Sequence, residues 1–111
     1  MAGITKKISS FTQSEITKLL KEAKVAVRIP GLRILTAPAS FPSQGRVLII
    51  TPRRSGNAPQ RNLIRRRIKS IFIEDGLSTK NLDFVIVIRR EAIETGFGTL
   101  KKLLARACSP L

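Results

Sequence analysis

Two apolar runs constrain the fold before anything else does. "RVLIITP" at residues 46–52 and "NLDFVIVIRR" at residues 81–90 are short, almost unbroken and rich in β-branched residues. Runs of that length and composition suit strands buried on both faces, the second from Phe84 to Ile88. The segment between them has room for one helix. Two strands joined by such a crossover are expected to lie parallel in one sheet.

The crossover itself reads as a helix from Ala58 or Pro59, since proline is tolerated in a first turn, to about Asp75, with Gly76 as its stop. Ile64, Ile68, Ile71 and Phe72 fall on one side at helical spacing. Arg61, Arg65 and Lys69 form a stripe on another side, with Asn62 and Arg66 beside it. Like charges four apart on a helix repel by a few tenths of a kcal/mol per pair, roughly, a cost that a polyanion would remove. "RRSGNAP" (53–59) before it is a turn, in which Gly56 and Asn57 are expected to tolerate left-handed backbone.

The rest fills in around this unit. "FTQSEITKLLKEA" reads as a helix opened by a Thr12/Glu15 capping box, with Phe11 and Ile16 placed for a hydrophobic staple. Ile16, Leu19, Leu20 and Ala23 mark its apolar face, which either docks on the core or stands partly exposed as a binding wall. Residues 25–38 suggest two short strands around Pro30-Gly31, residues 38–45 a loop, and residues 98–107 a last amphipathic helix through Leu100, Leu103, Leu104 and Ala107. No repeat, low-complexity tract or linker divides the chain, so residues 1–111 are expected to form one domain.

Charge narrows the function. The chain carries 21 Lys and Arg against 7 Asp and Glu, a formal net charge of +14. No acid lies between Ala23 and Ile73, whereas that stretch holds eleven Lys or Arg, seven of them within 53–69 and six of those seven Arg. Arginine grips phosphate with a planar fork and stacks on bases, and the Asn62 amide both donates and accepts. A membrane-surface helix would want aromatic anchors opposite its charge, and this one offers only Phe72. Nucleic acid is therefore the expected partner. A strand rather than a second helix precedes the basic helix, which favours RNA over a DNA major groove.

Catalytic chemistry is thin. There is no His and one Cys, so a zinc site and an imidazole-activated nucleophile are not expected, and no phosphate-loop pattern is complete. The lone Cys108 fits a cytoplasmic setting. No stretch approaches the ~20 apolar residues that span a bilayer. Residues 1–10, "MAGITKKISS", lack the apolar core of an export signal. A chain like this binds.

"RRSGNAPQRNLIRRRIKSIF" resembles the signature of the bacterial ribonuclease P protein subunit. Arg53-Arg54, Gly56-Asn57-Ala58, Arg61-Asn62, Arg65-Arg66 and Lys69 occupy the places of that pattern without a gap. The likeness covers residues 46–107 well and 6–37 loosely. It implies an α+β two-layer sandwich, a four-stranded mixed sheet with about three helices and a left-handed βαβ crossover, as in one domain type of small ribosomal proteins. It implies a non-catalytic subunit of an endoribonuclease: the catalyst would be a separate large RNA that uses Mg²⁺ to remove the 5′ leader of precursor tRNA. The protein would pair with that RNA, one to one, through Arg53, Arg54, Gly56, Asn57, Arg61, Asn62, Arg65, Arg66 and Lys69.

The leader would lie in a cleft between the first helix and the sheet. Candidates there are Phe11, Ile16, Leu20, Arg33, Leu35, Arg89 and Arg90. The family usually carries aromatics at the places of Ile16, Leu20 and about Leu35, and often a basic residue at that of Leu63. Phe11 or Phe41 would have to stand in for the rings, or recognition would rest on backbone charge and apolar contact. The rival readings are a small ribosomal-type protein whose client is ribosomal RNA, and an independent nuclease, against which the missing His counts.

Overall fold

The structure, a computed structural model, describes residues 11–41 and 44–108. The export-signal expectation for residues 1–10 lies outside the described residues, as do Pro42 and Ser43 of the 38–45 loop. Helix α1 (Gln13–Glu22) is followed by β1 (Lys24–Ile29), β2 (Leu32–Pro38) and β3 (Val47–Ile50). Then come α2 (Ala58–Glu74), β4 (Leu82–Ile88) and α3 (Phe97–Cys108), with short 3-10 turns at Arg53–Ser55, Leu77–Lys80 and Arg90–Ala92. The sheet order is β1-β2-β4-β3, antiparallel except for the expected parallel pair β3 and β4. Three α-helices among the described residues and a four-stranded mixed sheet make an α+β fold.

The two faces of the sheet are covered unequally. Leu32, Ile34, Val47, Phe84, Ile86 and Ile88 point to the α2–α3 side and merge there with Ile64, Ile68, Ile71, Phe72, Leu100 and Leu104. Phe72 meets Phe84 edge to face at 5.4 Å. On the other face a small cluster holds only Leu19, Ala37 and Val85 fully buried. Leu35, Leu48, Ile50 and Val87 are partly covered there. The expectation that "RVLIITP" is buried on both faces is corrected: β3 is an edge strand, and only Val47 of its residues is buried. β4 is central and answers the description, from Asp83 to Ile86.

Local signals set the helix ends. Thr12 and Glu15 form the reciprocal capping box of α1, and Asn57 and Gln60 form another at α2. Asp75 closes α2, and Gly76 follows in the left-handed region at φ +60°. The turn before α2 departs from expectation. Gly56 is extended at φ 169° and Asn57 sits at φ −74°, so neither is left-handed. Gly56 is instead fixed by space, because a Cβ there would come within 2.5 Å of the Gln60 side-chain oxygen and 3.0 Å of Ile93. Of the two readings of helix α1, the partly exposed face is the one observed: Leu19 is buried, Ile16 and Ala23 are half-buried, and Leu20 is 47% exposed. The helix touches the sheet along a narrow edge.

Candidate nucleic-acid interface

Helix α2 buries Ile64, Ile68 and Ile71 and turns Asn62, Arg65, Arg66 and Lys69 outward around a shallow depression that begins at Ala58 and Pro59. Arg65 is held in place: its Nε donates to Thr51 Oγ1 at 2.9 Å and its Nη1 to Asn62 Oδ1 at 3.2 Å. Two of five guanidinium N–H groups are thereby committed, and the rest of the fork is left to face a ligand. Thr51, the residue just after β3, is almost buried and was not singled out from the sequence. The pointer to it was its place at the strand end, next to where the basic helix crosses.

The even stripe of Arg61, Arg65 and Lys69 is only partly realised. Arg61 folds back, donating from Nε to the Gly56 carbonyl at 3.1 Å. Arg67 reaches the opposite way, to the Thr95 carbonyl at 3.0 Å. Asn57 serves the helix start, accepting from Gln60 N at 2.9 Å. Arg53 and Arg54 stand exposed on the turn after β3, which Ser55 pins by donating from Oγ to the Ile88 carbonyl at 2.6 Å. That turn packs against the Arg90–Ala92 turn, so Arg90 belongs beside Arg53 and Arg54.

The acids near α2 are engaged elsewhere. Glu74 and Asp75 pair with Lys101 of α3 at 3.8 and 3.3 Å, and Glu94 accepts from Gln60. Among the described residues, Arg53, Arg54, Arg61, Arg65, Arg66 and Lys69 make no ion pair. Unneutralised guanidiniums on a rigid helix are a surface for phosphate.

The open face of the sheet is the second region. Strand register places Arg33 beside Val87 and Leu35 beside Val85, with Leu48 and Ile50 next in the same rows. Arg33 and Arg89 line one depression there, together with Arg28. A bulge between Val25 and Val27 shifts the alternation, so Val27 turns into the core while Val25 and Arg28 share the open face. Phe11 lies with Leu19 near the Ala37 end of that face, Ile16 and Leu20 are on α1, and Arg33 and Arg89 line the separate depression.

One guanidinium links α1 to the sheet. Arg46 lies over the Phe11 ring at 4.3 Å and near that of Phe41 at 5.6 Å, and its Nη1 pairs with Glu15 Oε1 at 3.2 Å. Its backbone N–H donates to the buried Asp83 carboxylate at 2.9 Å. The Thr12 backbone N–H, first, and the Arg46 guanidinium, second, hold the Glu15 carboxyl below its ordinary pKa. Phe11 and Phe41 are thus engaged with a cation.

No helix among the described residues is long and apolar enough to cross a membrane. The described residues bring no three His, Cys, Asp or Glu side chains together as a metal site.

The family model described as Ribonuclease P matches residues 6–111 of the chain. A ribonuclease P protein component of Helicobacter hepaticus is 44% identical over 52 residues, 47% of this chain and 36% of that protein. One from Streptococcus mutans is 36% identical over 62 residues, 56% of this chain and 52% of that protein. The chain thus matches about half or less of the length of these relatives. Among solved structures, a variant of the Staphylococcus aureus RNase P protein superposes with TM-score 0.77 at 18% identity, over 96% of this chain and 89% of that one. The RNase P protein of Thermotoga maritima gives 0.74 at 20% identity, over 93% and 96%. At such identities these two likenesses speak for the fold.

Proposed function

The chain belongs to the ribonuclease P protein family, and on that premise we propose that it is the protein subunit of an RNA-based endoribonuclease that matures tRNA 5′ ends. Its outward α2 face, with Arg53 and Arg54, binds the phosphates of the catalytic RNA, one protein to one RNA, in the cytoplasm. The open sheet face and α1 take the single-stranded leader of precursor tRNA. The protein contributes positioning and charge, while bond cleavage and its Mg²⁺ belong to the RNA. The carboxylates near α2 are tied to Lys101 and Gln60 rather than gathered as ligands, so no protein-borne metal site is proposed.

The observation that carries this reading is the fixed Arg65 fork beside Asn62, on a helix face free of ion pairs among the described residues. A merely solvated charged face has no need to orient a guanidinium from two sides. Adding the chain to a ribonuclease P RNA and precursor tRNA at low Mg²⁺ tests the assignment. Leader cleavage should be restored. No restoration, with tight binding to ribosomal RNA instead, would move the client to the ribosome.

A further inference from the structure

We propose that the free edge of β1, with the outer flank of α3 beside it, is a docking site for an extended acidic segment of a partner protein. β1 ends the sheet and pairs with β2 alone. Its Lys24, Val25, Ala26 and Arg28 are exposed. Among the described residues, no backbone hydrogen bond from a turn or loop reaches Lys24 to Ile29. One row of N–H and C=O groups along the strand is therefore left to solvent, a template for another peptide backbone.

Helix geometry puts a basic flank along that edge. α3 packs over β1 and β2, and α2 lies beside it towards β3. Lys101 faces α2, where it pairs with Glu74 and Asp75, while Leu100, Leu103, Leu104 and Ala107 face the core. At about 100° per residue, Lys102 and Arg106 then fall on the flank away from α2, on the side of the β1 edge. Lys24 joins them. It stands opposite Thr36, in the row that continues from Leu32 and Ile34 on the core side of the sheet. Lys24, Lys102 and Arg106 are exposed and make no ion pair among the described residues. Glu22, two residues before Lys24, is exposed as well and pairs with none of them.

The two features together select one kind of occupant. An edge strand alternates donors and acceptors, which a peptide backbone matches and phosphate oxygens, acceptors only, do not. Lysines and a bulge on an edge ordinarily repel a neighbouring strand. A second copy of this chain, at +14, would meet that repulsion in full. An acidic strand reverses its sign. Side chains alternate along a strand, so Asp or Glu at every second position would face Lys24, Lys102 and Arg106 together while the backbone extends the sheet.

The probe is a labelled nine-residue peptide in which Glu alternates with Val, titrated with the full chain and followed by fluorescence anisotropy. Two further versions carry backbone N-methyl groups, one on the Glu positions and one on the Val positions. Each version blocks one edge of the peptide, so one of them should bind about tenfold more weakly and the other should bind as the parent does. The Lys102→Glu/Arg106→Glu variant should also bind the parent peptide about tenfold more weakly, whereas Arg65→Glu/Arg66→Glu, with the same change in net charge, should have a much smaller effect. No binding of the parent peptide overturns the proposal. Equal affinities of the two methylated versions, or equal losses in the two variants, overturn it in favour of adhesion by charge alone. A dimer in sedimentation that Lys102→Glu/Arg106→Glu abolishes overturns it in favour of a second copy. Affinity for the catalytic RNA falling in that variant as far as in Arg65→Ala gives the surface to RNA and overturns it too.

Discussion

Helices α2 and α3 hold one face of the sheet, and α1 holds the other, by different physics. Ile64, Ile68, Ile71, Phe72, Leu100 and Leu104 interlock with Phe84, Ile86 and Ile88 in a continuous apolar core. Opposite them, α1 contributes the buried Leu19 and then relies on a cation: Arg46 against Phe11, Phe41 and Glu15. Close packing has no near-equivalent alternative arrangement, whereas an ion pair with Glu15 nearly a third exposed exchanges readily with water. The α2 side is therefore a rigid platform under the proposed phosphate contacts, and the α1 side is an adjustable wall beside the open face.

Substitutions on the two sides should break that contrast or sharpen it. Phe72→Ala should cost about 3–5 kcal/mol in denaturant unfolding, because it leaves a cavity against Phe84 at the centre of the core. Leu19→Ala should cost about 2 kcal/mol, near the low end for a buried leucine, since few neighbours surround it. Equal losses at the two sites would abolish the distinction between platform and wall.

Arg46→Met should cost less again, about 0.5–2 kcal/mol, and locally. Amide exchange should speed up in α1 and stay unchanged in α2. Arg46→Lys should restore part of the ion pair but not the flat contact with Phe11. The smallest effect is that of pH. The folded-state pKa of Glu15 lies below its unfolded value, so its contribution is complete above the ordinary value of 4.5 and is lost as pH falls through the folded one. Protection of α1 should fall in acid by this route, and Glu15→Gln should remove that pH dependence. Protection of α2 lost in parallel by the same route would contradict the separation.

The same contrast explains what the sequence made legible. The β3–α2–β4 unit was readable because Phe84, Ile86 and Ile88 face Ile64, Ile68 and Ile71 of α2, and burial on that scale imposes its periodicity on the chain. The capping box at Thr12 and Glu15 was local and visible, whereas the one at Asn57 and Gln60 was hidden because Gly56-Asn57 reads as a left-handed turn. The open face was harder. The β1 bulge put Val25 on the open face with Arg28, against simple alternation, and the edge position of β3 left Leu48 and Ile50 half-covered. Helical spacing predicted an even stripe along α2, but it could not tell which guanidiniums the protein keeps for itself. Arg61 and Arg67 turn to the Gly56 and Thr95 carbonyls, and Arg65 is set by Thr51, a residue fourteen positions away in the chain.

That last difference supplies the most direct test of the central claim. Arg65→Ala and Arg67→Ala each remove one charge from neighbouring positions of the same helix, one facing outward beside Asn62 and the other turned to Thr95. The affinity for the catalytic RNA should be measured over a range of salt for both variants and the unaltered protein. Arg65→Ala should flatten the logarithmic salt dependence by up to about 0.7–0.9, one lost phosphate contact, and Arg67→Ala should leave it unchanged. Equal slopes for the two variants would mean that the RNA meets a diffuse positive field, and would contradict an oriented phosphate grip on α2.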